Sequence, residues 1–207
     1  MSPRLEPLSR GTLKKAPSVC QGCVWWQGRA DKRVAKERWI EQAEDEWGAW
    51  GMAYFDDDER PLGVMQYGPA SLFPRSQKLP AGPASDDAVL VTCAYLVDPA
   101  SPWVIQSLFL AAAGEARSRG AEALEAFAFH YTEQDDFEQR FILHRAIFPH
   151  DLLADLGFLP LRSAGRVQLA RLELGGLEPS AEVEEDGLLA KLKRFYLPAP
   201  VPAPPRP

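Results

Sequence analysis

The chain has 207 residues, 46% of them hydrophobic, which suits one domain with a sizeable core. Its formal net charge of -6 argues against nucleic acid as the main partner, because that binding rests on clustered cations that neutralise phosphates. Three cysteines argue against a secreted disulfide framework, no apolar stretch is long enough to span a bilayer, and residues 1–18 lack the apolar core of a signal peptide, so a reducing cytoplasm is the expected location.

In chain order, residues 1–18 are polar and proline-containing and read as a loose amino-terminal segment. Cys20 and Cys23 come next, followed by Val24, Trp25, Trp26 and Gln27, whose partly alternating aromatics read as a short first strand. Residues 32–47 read as a helix with Val34, Trp39, Ile40, Ala43 and Trp47 on its apolar stripe and Gly48 as its stop. Residues 49–55 and 62–67 read as a hairpin around a polar turn. The connection 68–86 carries Pro69, Pro74, Pro80 and Pro83; a loop of that length either lies over a binding site or is an inert cover.

Residues 88–119 organise the rest. A run apolar on both faces, residues 88–97, reads as a central strand covered on two sides. Ser101 is a good N-cap, Pro102 suits a first helical position, and Val104, Leu108, Ala112 and Ala116 recur every four residues, so a helix starts at the strand's carboxyl end and stops at Gly120. Backbone amides at such a junction attract phosphate, and open sheets bind ligands at strand carboxyl ends. Residues 123–129 then read as a strand restored by the crossover, although alanine and glutamate favour helix. Residues 130–144 are polar and ambiguous. A short helix over 149–156 ends at Gly157, and residues 158–161 and 167–174 read as closing strands. Residues 180–196 read as a helix with its charges placed along the dipole, and 198–207 as an extended polyproline tail. The acidic runs at 56–59, 133–138 and 182–186 read as solvated turns and a helix start.

Helix, hairpin, long central strand, helix, strand, short helix ending in Leu156-Gly157-Phe158, and final strands form an order that resembles the GNAT-type acyl-CoA N-acyltransferases, over roughly residues 20–174. Cys20, Cys23, Trp25, Trp26, Trp39, Trp47-Gly48 with Gly51, Pro61 and Gly63, Tyr67 and Pro69, residues 87–90, and Arg119-Gly120 are similar to a bacterial subgroup with an amino-terminal Cys-x-x-Cys. The resemblance implies an α/β (α+β) fold, a mixed central sheet flanked by helices in a single domain. The expected boundaries are 1–18 flexible, 19–176 the domain, 177–197 a carboxyl-terminal helix and 198–207 a disordered tail.

The resemblance also implies a site. Acetyl-CoA or another acyl-CoA wedges beside the central strand, whose amides around Ala94, Tyr95, Leu96 and Val97 hold the thioester carbonyl. The pyrophosphate rests on the helix start at Trp103, Val104, Ile105, Gln106 and Ser107. Here the sequence departs from the family pattern: residues 101–106 contain no glycine, Pro102 removes a donor and Val104 adds a branched side chain, which predicts a crowded cradle. The family's acid position, four residues before Gly157, is Leu153, which has no proton to give. His130, Tyr131 and His144 are the candidate substitutes, with His150 beside them, histidine being the usual proton-transfer residue near neutral pH. The expected acceptor is a primary amine on a small molecule or protein, with no membrane partner, and a homodimer is admitted.

Cys20 and Cys23 read first as a structural turn, then as a labile disulfide, then as half of a zinc site. No second Cys-x-x-Cys or close histidine pair completes a zinc site, and no metal is expected. Trp25, Trp26, Trp39, Trp47 and Trp50 read as core packing, with an aromatic cage for a cationic amine as the alternative. Gly-x-Ser-x-Gly and Walker-type loops are absent, so hydrolase and nucleotidase readings lack a foothold. A non-catalytic module of the same fold is the rival to an acyltransferase.

Overall fold

The computed structural model describes residues 4–28, 35–98, 101–132 and 147–175. Its elements are β1 (Arg4–Pro7), α1 (Ser18–Gln21), α2 (Lys36–Glu46), β2 (Gly51–Phe55), β3 (Pro61–Pro69), β4 (Ala88–Leu96), α3 (Pro102–Ser118), β5 (Ala123–Phe129), β6 (Phe148–Pro149), α4 (His150–Asp155), β7 (Leu159–Ala164) and β8 (Val167–Glu173). The strands form one mixed sheet in the order β1-β2-β3-β4-β5-β8-β7, with β6 paired to β5 off that path. Only β4–β5 and β5–β6 are parallel among the described pairs. This is the expected mixed sheet flanked by helices. Among the described residues no helix is long and apolar enough to cross a membrane.

Two apolar layers cover the sheet. On one face α3 lays Val104, Leu108, Ala112 and Ala116 against Val89, Val91, Leu124 and Ala126, and α4 closes the same layer through Leu152 and Leu153. The four-residue repeat read from the sequence is the buried stripe. The other face is aromatic: Trp26, Trp39, Trp50, Phe55, Phe73 and Phe127 pack there with Leu90 and Leu169. Trp39 stands edge-on to Trp50 at 5.1 Å and donates its indole N–H to Leu72 O at 2.8 Å. In the connection 68–86, Leu72 and Phe73 are buried in this aromatic layer and Arg75 lies over the Trp25 ring, so the segment covers that face of the sheet.

The structure corrects the amino-terminal reading twice. Residues 4–7, expected loose, form the edge strand β1, paired antiparallel with β2 from Arg4↔Phe55 to Pro7↔Met52. Residues 24–27, expected to be the first strand, form turns, because Trp26 is buried against Phe127 as part of the aromatic layer and not paired in the sheet. Helix α2 starts at Lys36, four residues later than the apolar stripe suggests, and residues 29–34 lie outside the described residues. The helix at 180–196 and the tail at 198–207 also lie outside them.

Strand β5 contains the residue that made its sequence ambiguous. Glu125 is fully buried; its carboxylate accepts from Ser85 N at 2.8 Å and from Arg171 Nη1 at 3.1 Å. Arg171 also binds both Asp87 oxygens at 3.0 Å, so the buried charge is paired and tied to the start of β4.

Candidate functional site

The sheet opens at one place. Strands β4 and β5 pair only from Ala88↔Ala123 to Val91↔Ala126, although both run on for several residues. The pairing ends where β4 meets an irregularity against β3: Gln66 faces Cys93 and Tyr67 faces Val91, which leaves Thr92 as an extra residue. Val91 and Ala94, three apart, both lie in the α3-side layer, as only a bulge permits in a strand of period two. The Thr92 hydroxyl lies 3.1 Å from Gln66 O and 3.2 Å from Gln66 Oε1, and Gln27 Nε2 donates to Gln66 Oε1 at 3.1 Å. A bulge bends its strand, and this one is held by a buried polar network at the point of divergence.

Beyond the bulge, Val97 donates its N–H to Leu62 O on β3 at 2.9 Å. Backbone groups alternate edges along a strand, so Tyr95 shares that edge with Val97, while Ala94 and Leu96 turn their N–H and C=O groups toward β5. Among the described residues no strand pairs with that edge past Val91. The gap is narrowed from the other side, where β6 takes the edge of β5 at Ala128 and Phe129 and sets Phe148 5.4 Å from Phe109 of α3. The sequence does not announce this two-residue strand.

Helix α3 begins beside the gap. Ser101 makes no side-chain cap to the helix; its hydroxyl lies 3.3 Å from Asp98 Oδ2, and Val104 N donates to Ser101 O at 3.1 Å. Val104 is fully buried in a notch above Gly63, where an added Cβ would come within 2.7 Å of Val104 Cγ1. Ile105 is also fully buried, and Trp103 stands edge-on to Tyr54 of β2 at 5.3 Å. Gln106 and Ser107 are half-buried, the Ser107 hydroxyl donating to Trp103 O at 2.8 Å. The branched side chain of Val104 therefore packs on β3.

At the end of β5, His130 stacks on His150 of α4, ring centroids 4.0 Å apart and planes 28° apart, with His150 Nδ1 3.3 Å from Asp151 Oδ1. Burial and the neighbouring His150 push the His130 pKa down. Tyr131 packs on Phe129 at 4.8 Å. His144 lies outside the described residues. Leu153, at the expected acid position, is buried in the α3-side layer.

On the opposite face Cys20 and Cys23 form a turn, Cys23 N donating to Cys20 O at 3.4 Å, and none of the three cysteines is in a disulfide. Among the described residues no group of histidine, cysteine and acidic side chains suits a metal ion. The aromatic cage considered from the tryptophans exists around a cation of the chain's own: Lys36 Nζ lies 4.6 Å from the Trp39 ring centre and 5.1 Å from that of Trp50. A lysine at position 36 carries no such signal in the sequence.

A mixed sheet whose central strand leaves its parallel neighbour at a bulge, then feeds a helix start, defines an α/β protein with a candidate cleft at strand carboxyl ends. No protein-family model and no curated protein matches the sequence. Among solved structures the chain is similar to an N-acetyltransferase from Staphylococcus aureus Mu50, at 12% identity over 84% of this chain and 99% of that one, with a TM-score of 0.48. It is also similar to the GNAT domain of S. lividans PAT, at 14% over 83% and 90% with 0.48, and to yncA from Salmonella typhimurium, solved with acetyl-CoA, at 14% over 87% and 99% with 0.46. At identities and scores this low the likeness carries no residue role or activity to this chain.

Proposed function

We propose that the chain is an acyl-CoA-dependent N-acyltransferase that moves an acetyl or other acyl group to a primary amine by direct attack. The observation that supports this reading is the gap beyond Val91 and Ala126, where β4 offers the backbone groups of Ala94 and Leu96 to a ligand in place of a strand. An extended thioester arm carries amides that can pair with such an edge, and an N–H there stabilises the oxyanion that develops as the amine attacks. Holding amine and thioester in line supplies the remaining advantage without a covalent intermediate.

In this reading the gap-facing N–H groups of Ala94 and Leu96 grip the carbonyl, refining the wider set that also held Tyr95 and Val97. The start of α3 receives the phosphate end through backbone alone. The strand edge fits an acyl-CoA arm; the helix start fits its phosphates less well, since residues 101–106 lack glycine and the Val104 amide is spent on Ser101 O. His130, held neutral by burial and His150, accepts the amine proton directly or through water. The amine acceptor, on a small molecule or a protein, is unspecified by these groups, and the cytoplasm remains the proposed location.

A second reading, a non-catalytic module of the same fold, is favoured by the buried Leu153 and the altered helix start. Calorimetry with acetyl-CoA and longer acyl-CoAs separates the two. Binding at micromolar to millimolar ligand, followed by release of coenzyme A with a panel of primary amines, is the expected result. Absence of binding at millimolar ligand refutes the acyltransferase.

A further inference from the structure

All three cysteines of the chain, Cys20 and Cys23 from the amino-terminal turn and the distant Cys93 from β4, meet at one cavity of about 60 Å³ between that turn and the aromatic face of the sheet. Lys36, only 8% exposed, stands in the same wall, and the remainder is mostly apolar, including Leu8, Trp50 and Val64. No lining residue is acidic. Lys36 Nζ donates to Cys23 O at 2.9 Å, which places the cation at the turn that carries the two amino-terminal thiols.

A buried cation costs several kcal/mol unless a counter-charge meets it. Among the described residues no carboxylate pairs with Lys36, the Trp39 and Trp50 faces compensate it only in part, and burial pushes its pKa down, so a counter-anion is what would hold its charge. The groups at the cavity that can become anionic are the three thiols and the Tyr95 phenol, and of these Cys23 sits on the turn that Lys36 touches. Cys93 is the poorest of the thiols, since burial pushes its pKa up to about 12. Cys23 is exposed and Cys20 half-buried. A turn closed from residue i to i+3 brings its end Cα atoms within about 7 Å, the range a disulfide spans. The same cation repels a metal ion, so the cavity suits an electron-rich sulfur and not a zinc ion.

We propose that Cys20 and Cys23 form a peroxide-sensitive dithiol, in which Lys36 provides the counter-charge for a Cys23 thiolate and Cys20 resolves the oxidised sulfur as a disulfide. The thiolate of Cys23 attacks one oxygen of hydrogen peroxide; the O–O bond breaks, a sulfenic acid forms, and the leaving hydroxide takes a proton to become water. The Cys20 sulfur then attacks that of Cys23; the S–S bond forms, the S–O bond breaks, and a second water leaves with the Cys20 proton. Peroxide is reduced and the dithiol oxidised, with two electrons on each side. The Trp50 indole, buried at the cavity with its N–H unpartnered among the described residues, gives the site an intrinsic reporter. This inference does not rest on acyl transfer, since the reacting groups are Cys20, Cys23 and Lys36, although Ala94 and Tyr95 line this cavity as well as the strand edge of the gap.

The full chain, treated with hydrogen peroxide, is assayed by thiol titration, peptide mass and tryptophan emission. The expected result is loss of two of the three thiols, a peptide lighter by two hydrogens joining Cys20 to Cys23, altered emission, and full recovery with dithiothreitol. Lys36→Met, which keeps the volume and removes the charge, slows the reaction about tenfold, as expected when a thiolate loses its neighbouring cation, and Lys36→Arg restores most of it. Cys93→Ser reacts like the parent. Oxygen gained at Cys23 with no disulfide, oxidation confined to Cys93, or an unchanged thiol count at peroxide that oxidises a cysteine peptide overturns the dithiol. An unchanged rate in a folded Lys36→Met chain overturns the role of the cation.

Discussion

Gly63→Ala is the sharpest test of how the start of α3 is held beside the gap. The new methyl would meet Val104 Cγ1 at 2.7 Å, Leu96 Cδ2 at 3.2 Å and Tyr95 O at 3.2 Å. Contact below 3.0 Å with a fully buried side chain forces a shift, and overpacking of this kind costs about 1–3 kcal/mol. Val104→Ala removes two buried carbons and costs about 2 kcal/mol through lost transfer energy and a residual cavity. Together the two changes should be less harmful than their sum by about 1–2 kcal/mol, since the methyl at position 63 enters the space that Val104 leaves. Urea unfolding followed by tryptophan emission gives all four corners of the cycle. Strict additivity would refute the notch, and with it the packing of Val104 on β3. In the acyltransferase reading, Gly63→Ala also weakens acyl-CoA binding, because the displaced groups are those flanking Leu96.

Three further outcomes follow from the same geometry. Thr92→Val removes the hydroxyl that bonds Gln66 at the bulge, and should cost about 1–2 kcal/mol in urea unfolding and, in the acyltransferase reading, lower acyl-CoA affinity in calorimetry; loss of stability with unchanged affinity would detach the bulge from the gap. Glu125→Ala leaves Arg171 and the Ser85 N–H without their buried partner, and should cost about 3–5 kcal/mol in thermal or chemical unfolding; a loss under 1 kcal/mol would refute the buried pairing. His130 has its pKa lowered by burial and His150, so folding favours its neutral form. Its contribution to stability is present above the unfolded value of about 6.5 and disappears as pH falls through the lowered folded value. His130→Gln should flatten that acid limb in unfolding measured between pH 5 and 8, and a limb identical to the parent would show that the histidine pair does not titrate on folding.

The long elements were legible because one physical cause dominated each. Val104, Leu108, Ala112 and Ala116 had a single face to bury, and the run at 88–97 had two. The hairpin was legible because its turn is local: Asp56 accepts from the amides of Asp58 and Arg60 and pairs with the Arg60 side chain. Glu125 misled the propensity of β5, since its partner Arg171 is 46 residues away. The alternating aromatics at 24–27 mimicked a strand because Trp26 is buried by tertiary packing and not by pairing. Of the candidate site, the strand-to-helix junction was legible. The bulge at Thr92, the strand at Phe148 and the placement of Val104 over Gly63 were not, because each depends on a register between distant segments.

Strand β1 has a practical consequence. A chain trimmed to begin at Cys20, where the family-like pattern starts, would lose more than a tail. The edge of β2 would be left with open N–H and C=O groups, and Leu8, Leu13 and Ala16 would leave the aromatic layer they help to close. A bare edge above an unsealed apolar face is a template for self-association. Such a truncated chain should collect in insoluble fractions however intact the gap between β4 and β5, and a fused partner is better carried elsewhere than against Arg4.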